Sequence, residues 1–150
     1  MTRRKRADTQ GVDILKDHFS KFQIADKDGD LDRDPYTSAA WNGNAFSNGA
    51  TGTINWVTAF GLPEIPKAVW VEVHLRDADS SAGDYHIAFR AKVTTTRDSA
   101  TCRCDRENND NLDNHQRLIP VADNGTSYYS VVASGVNTMD VWIRVIAWMK

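Results

Sequence analysis

The chain is expected to be all-β: an antiparallel β-sandwich of jelly-roll-like type, preceded by a short N-terminal helix and a charged linker. Three observations predict this. From Tyr36 onward apolar residues recur with period two, as in half-buried strands. Polar turns containing Gly, Asn and Asp separate these runs. Charge and aromatic content also change abruptly near residue 35, which places the core in the second part of the chain.

Of the 150 residues, the first 35 hold 8 Lys and Arg and 8 Asp, whereas the remaining 115 hold only 22 charged residues. Twelve of the 14 aromatic residues fall after position 35. The division is therefore an arm and linker over 1–35 and a sandwich domain over 36–150. The formal charge of −2 gives no electrostatic reason to expect a nucleic-acid partner. No run reaches the roughly 20 apolar residues of a membrane helix, so no membrane insertion is expected. Cys102 and Cys104 are too close in sequence to suggest a disulfide framework, which fits synthesis in a reducing cytoplasm.

Within the arm, Arg3, Arg4, Lys5 and Arg6 form a basic cluster. Val12, Leu15, Phe19 and Phe22 follow at spacings that make one apolar helical stripe. Thirteen residues make a marginal helix alone, so the stripe is read as an anchor that needs a surface to lie against. Asp26, Asp28 and Asp30 alternate around Gly29 and are the calcium candidates. Their register is unlike an EF-hand: with Gly29 at the sixth loop position, Ile24 and Pro35 occupy the first and twelfth. A polar linker ending at Asp34-Pro35 is the expected reading, and no cofactor is expected beyond that calcium alternative.

The strands are expected in order. Thr53 to Thr58 is the first, and Val69 to Arg76 the next, with Val69, Val71, Val73 and Leu75 inward. Tyr85 to Val93 is expected to pair with it across a polar turn, and Ala100 to Asp105 is a short strand. His115 to Val121 and Thr126 to Val132 read as a hairpin across Asp123-Asn124-Gly125, because Asn-Gly tolerates positive φ at both positions. The last strand, Met139 to Met149, places Met139, Val141, Ile143, Val145 and Ala147 on its core face. Its other face carries Trp142, Ile146 and Trp148, too apolar for water. These three are the predicted oligomer interface, with a homotrimer the expected state; the alternative cover is the N-terminal helix folded back.

Catalytic patterns are missing: Glu64, Glu72 and Glu107 form no acid–base motif, and there is no nucleophile elbow or phosphate loop. Cys102, Cys104 and His115 supply three potential zinc ligands from two segments, short of a zinc signature. His74 and His86 are expected as cross-strand neighbours on the solvent side. Trp41-Asn42-Gly43-Asn44 and the amide-rich run 107–114 suit sugar contact and turn chemistry equally.

The strings Trp41-Asn42-Gly43-Asn44-Ala45-Phe46, Thr53-Ile54-Asn55-Trp56 and Gly61-Leu62-Pro63, followed by Lys67-Ala68-Val69-Trp70-Val71, resemble β-sandwich domains of tailed-phage and prophage virion proteins. So does the ending, from Pro120-Val121 through Tyr128-Tyr129 to Thr138-Met139-Asp140-Val141-Trp142-Ile143. The resemblance covers about 36–150. It implies a non-enzymatic virion protein of tail-fibre or head-spike type, anchored by residues 1–35 to other virion proteins, with host-surface glycan as a candidate partner. A capsid decoration protein without receptor binding, or a free lectin-like module, is the alternative.

Overall fold

The computed structural model describes residues 22–25, 34–78, 83–92, 102–105 and 112–150. Nine strands and one helical turn follow in order: β1 (Phe22–Ile24), β2 (Tyr36–Phe46), β3 (Thr51–Asn55), α1 (Trp56–Phe60), β4 (Ala68–Asp77), β5 (His86–Arg90), β6 (Cys102–Asp105), β7 (Asp113–Pro120), β8 (Thr126–Val132) and β9 (Met139–Met149). In one sheet β9 lies between β4, which continues to β7, and an edge shared by β1 and β2. The second sheet runs β3-β8-β5-β6. All pairings are antiparallel. Strands β2 to β9 thus make two four-stranded sheets with the order of an eight-stranded jelly roll.

The core lies between the sheets. Val69, Val71, Val73 and Leu75 of β4 are fully buried, as their alternation predicts, and so are Val141 and Val145 of β9. Ile87, Phe89, Cys104 and Val131 face them from the second sheet.

Several expected neighbours are corrected. Strand β5 pairs with β6 and β8, not with β4. The Asn124-Gly125 turn is present, with Gly125 at φ 81°, but it joins β7 to β8 in opposite sheets. Both errors have one cause. A strand with one apolar face can satisfy it by lying opposite its sequence neighbour across the core as well as beside it. Among the described strands, only β5 and β6 are both consecutive and paired.

The strand expected over Thr53 to Thr58 ends at Asn55. There the Asn55 side chain accepts from the Thr58 backbone N–H at 3.1 Å, and Gly61 closes the turn at φ 75°, so local capping overrides the alternation. Trp56 is consequently buried, and its Nε1 donates to Ser127 Oγ at 2.8 Å.

At the N-terminal side, Phe22 is in a strand and not at the end of a helix: Phe22, Gln23 and Ile24 pair with Met149, Trp148 and Ala147. The edge of β9 beyond β2 offers backbone groups that a strand satisfies and a helix does not. Part of the segment separated by composition as an arm is therefore bonded into the sandwich sheet. The remainder of the expected helix, with Val12, Leu15 and Phe19, lies outside the described residues, as do Asp26, Asp28 and Asp30.

Candidate interaction surface

Across the outer face of the first sheet, register builds two adjacent apolar rows. Ile24 opposes Ala147, Ala147 opposes Trp70, and Trp70 opposes Leu118. In the next row Phe22 opposes Met149, Met149 opposes Ala68, and Ala68 opposes Pro120. Ile24 is 57% exposed, Leu118 46%, Phe22 39%, and Trp70 and Met149 37% each. Between β1 and β4 the surface dips into a shallow groove lined by Phe22, Ile24, Trp70, Gln116, Ile146 and Ala147. Toward the other end of the sheet the rows turn polar, starting with Glu72 opposite Arg144 and Gln116. This contiguous apolar area on an otherwise polar face is the candidate contact surface.

The three residues expected at an interface separate. Trp70 opposes Ala147 while Val71 opposes Val145, so Ile146 is an extra residue, a β-bulge, and its carbonyl accepts from Ala25 N–H at 2.9 Å. The bulge reverses the alternation beyond it. Trp148 therefore turns inward opposite Val69 and is buried, and Ala147 takes the outer face. Trp142 does face outward, but its indole lies over Gly43 of β2, where a Cβ would sit 2.7 Å from the ring. Ile146 lines the groove. The exposed apolar surface consequently centres on residues that the alternation of β9 alone could not reveal, contributed by β1, β4 and β7.

Other candidates are placed as follows. Trp41 is buried, stacked on Phe46 at 5.1 Å and edge-on to Tyr129 at 5.0 Å, so its face is not open to a sugar. His74 and His86 belong to different sheets and are not neighbours; His74 Nε2 lies 3.3 Å from Glu72 Oε1. Cys104 points into the core. Both His115 nitrogens are engaged: Nε2 donates to the Asp105 carbonyl at 2.7 Å, and Nδ1 accepts from Arg117 Nη2 at 3.2 Å. The zinc set is thus not assembled around His115.

The sequence singled out His86 only as a partner for His74 and did not group it with Asp84 and Asp105, yet the potential ligand atoms of these three come within 4.8 Å of one another. Arg103, however, reaches both carboxylates, through Nη2 to Asp84 and Nε to Asp105. Although desolvation lowers the Arg103 pKa, the two carboxylates more than offset it and raise it. The guanidinium already supplies the positive charge that these acids attract. Only the β5–β6 register and the reach of Arg103 across it bring these residues together, and neither leaves a mark in local sequence.

No protein-family model matches the sequence, and no curated protein does. Similar solved structures include the Tobacco streak virus coat protein dimer, 9% identical over 78% of this chain and 84% of that chain at a TM-score of 0.46. The same coat protein in a C2 crystal form is 11% identical at the same coverage and TM-score. Likeness at this level adds nothing to what strand order already shows. The jelly roll rests on the pairing itself.

Proposed function

We propose that the chain is a non-enzymatic structural subunit of a virion, with the sandwich displayed and the N-terminal segment linking it to the particle. The jelly-roll strand order carries this reading, because it is a rigid framework that buries its apolar rows and leaves sheet faces and end loops for contact with other proteins. The motif resemblance to tailed-phage virion proteins supports a fibre or spike, with capsid decoration as the alternative. The mutual pairing of Asp84, Arg103 and Asp105 also favours a structural role for the main titratable cluster among the described residues. Self-association, with a trimer expected, belongs to the same proposal and would let weak contacts gain avidity.

A lectin-like reading has one observation in its favour. A groove at the second sheet, where Ala91 and Ala122 give much of the surface, also carries Lys92, Asp123, Asn124 and Tyr128, groups suited to hydroxyls. Against it, Asn124 Oδ1 already accepts from Thr126 Oγ1 at 2.7 Å.

Mass spectrometry of purified particles tests the main reading. A fixed copy number per particle is expected, and absence from particles that remain fully infectious would overturn it. A glycan array with the full chain separates display from lectin binding: selective signal lost in Tyr128→Ala would favour the groove.

A further inference from the structure

We infer that the apolar rows on the outer face of the first sheet are the docking site for the chain's own residues 12–19. The stripe of Val12, Leu15 and Phe19 would lie across β1, β9, β4 and β7, against Ile24, Trp70 and Leu118.

Three observations choose this occupant. First, the chain outside the described residues ends at the patch itself: Phe22 is one of its exposed members, and Phe19 lies only three positions earlier. Ser20 and Lys21 suffice as a connection, because helix-to-strand loops of about two residues are common. Second, the dimensions agree. A helix from Val12 to Phe19 is about 10 Å long at 1.5 Å per residue, and four strands at about 4.8 Å spacing measure about 14 Å from first to last. Third, the area suits a short helix better than a second copy. The exposed fractions of Phe22, Ile24, Trp70, Leu118 and Met149 amount to roughly 400 Å² of side chain, about half of what each partner contributes to a standard protein interface.

The same geometry accounts for the polar positions. With Val12, Leu15 and Phe19 turned to the sheet, Asp13 and Asp17 fall on the opposite side of a helix, toward water. Tethering through β1 also holds the segment at a millimolar-range effective concentration over its own sheet. Attachment to a particle then falls to residues ahead of Val12, where Arg3, Arg4, Lys5 and Arg6 lie.

Hydrogen exchange on the full chain tests the inference. Amides of residues 12–19 should exchange at least about tenfold more slowly than an unstructured chain, equally at dilute and at 100-fold higher protein concentration. Trp70→Glu, Leu118→Glu and Phe19→Asp should each abolish that protection. Because Trp70 and Leu118 are exposed on the outer face, the amides of β4 should stay protected, which separates lost docking from unfolding. Free exchange of residues 12–19 in the unmodified chain would overturn the inference. Protection that rises with concentration, or a native mass that Trp70→Glu reduces, would assign the patch to a second copy and overturn it equally. Neither result bears on whether the protein is found in particles.

Discussion

Trp148 Nε1 donates to Glu64 Oε1 at 3.0 Å, and the same oxygen lies 3.4 Å from Lys150 Nζ. This contact ties the end of β9 to the loop before β4, with Tyr36 edge-on to the Trp148 ring at 5.6 Å. Trp148→Ala should cost about 3–5 kcal/mol through the cavity it leaves. Glu64→Ala should cost about 1 kcal/mol for the lost hydrogen bond, and Lys150→Ala a few tenths, since that ion pair is half in solvent. Urea midpoints rank the three. A Trp148→Ala protein of unaltered stability but altered mass would instead restore Trp148 to an interface.

Gly43 and Gly49 separate backbone strain from steric contact. Both have positive φ, 86° and 78°, but only a Cβ at Gly43 meets a side chain, the Trp142 indole at 2.7 Å. Gly49→Ala should cost about 1 kcal/mol. Gly43→Ala should cost about 2–3 kcal/mol more through overpacking, and the excess should vanish in a Trp142→Ala background. Equal losses at the two glycines in the Trp142 protein would refute the contact.

Ser127 links two buried groups, accepting from Trp56 Nε1 at 2.8 Å and donating to the Pro120 carbonyl at 2.7 Å. Ser127→Ala strands a buried indole N–H and should cost about 2 kcal/mol. That corresponds to a fall of roughly 4–8 °C in Tm for a domain of this size. Trp56→Phe, which removes the donor as well as part of the ring, should make the further Ser127→Ala step milder. Strictly additive losses would show that the bond contributes nothing.

Burial, with a smaller contribution from Tyr128, raises the Tyr129 pKa above its ordinary 10.0. Above pH 10 the unfolded chain then releases this proton more readily than the folded one, so the contribution to stability is intact below the ordinary value and is lost as pH rises from there through the raised one. Tyr129→Phe should flatten that alkaline slope. Absorbance titration should find Tyr129 ionising late among the tyrosines; ionisation at its ordinary value, with an unchanged slope in Tyr129→Phe, would contradict its placement against Trp41.

The parts of the fold legible in sequence were those whose signal is local. Strand β4 shows its period in every residue from Val69 to Arg76, and β9 does so as far as Val145. The bulge at Ile146 breaks the pattern with no Gly or Pro to announce it, which is why Trp148 reads as exposed. Strand β2 escapes notice because Tyr36 to Phe46 is rich in small and polar residues and its pairing with β9 is interrupted by register shifts. Hairpin logic fails because most consecutive strands face one another across the core. The candidate surface was half visible: Ile146 was named, but Phe22, Ile24, Trp70 and Leu118 become neighbours only through the order β1-β9-β4-β7.

That order has a consequence for biosynthesis. Strand β9 separates β4 from β1 and β2, so β1 and β2 have no partner in the first sheet, and β4 has only β7, until residues 139–149 leave the ribosome. At about 5–20 residues per second the apolar rows of β4 remain unpaired on that side for several seconds after they are made. A chain cut before residue 139 should therefore fail to assemble the first sheet even though β1 to β8 are all present.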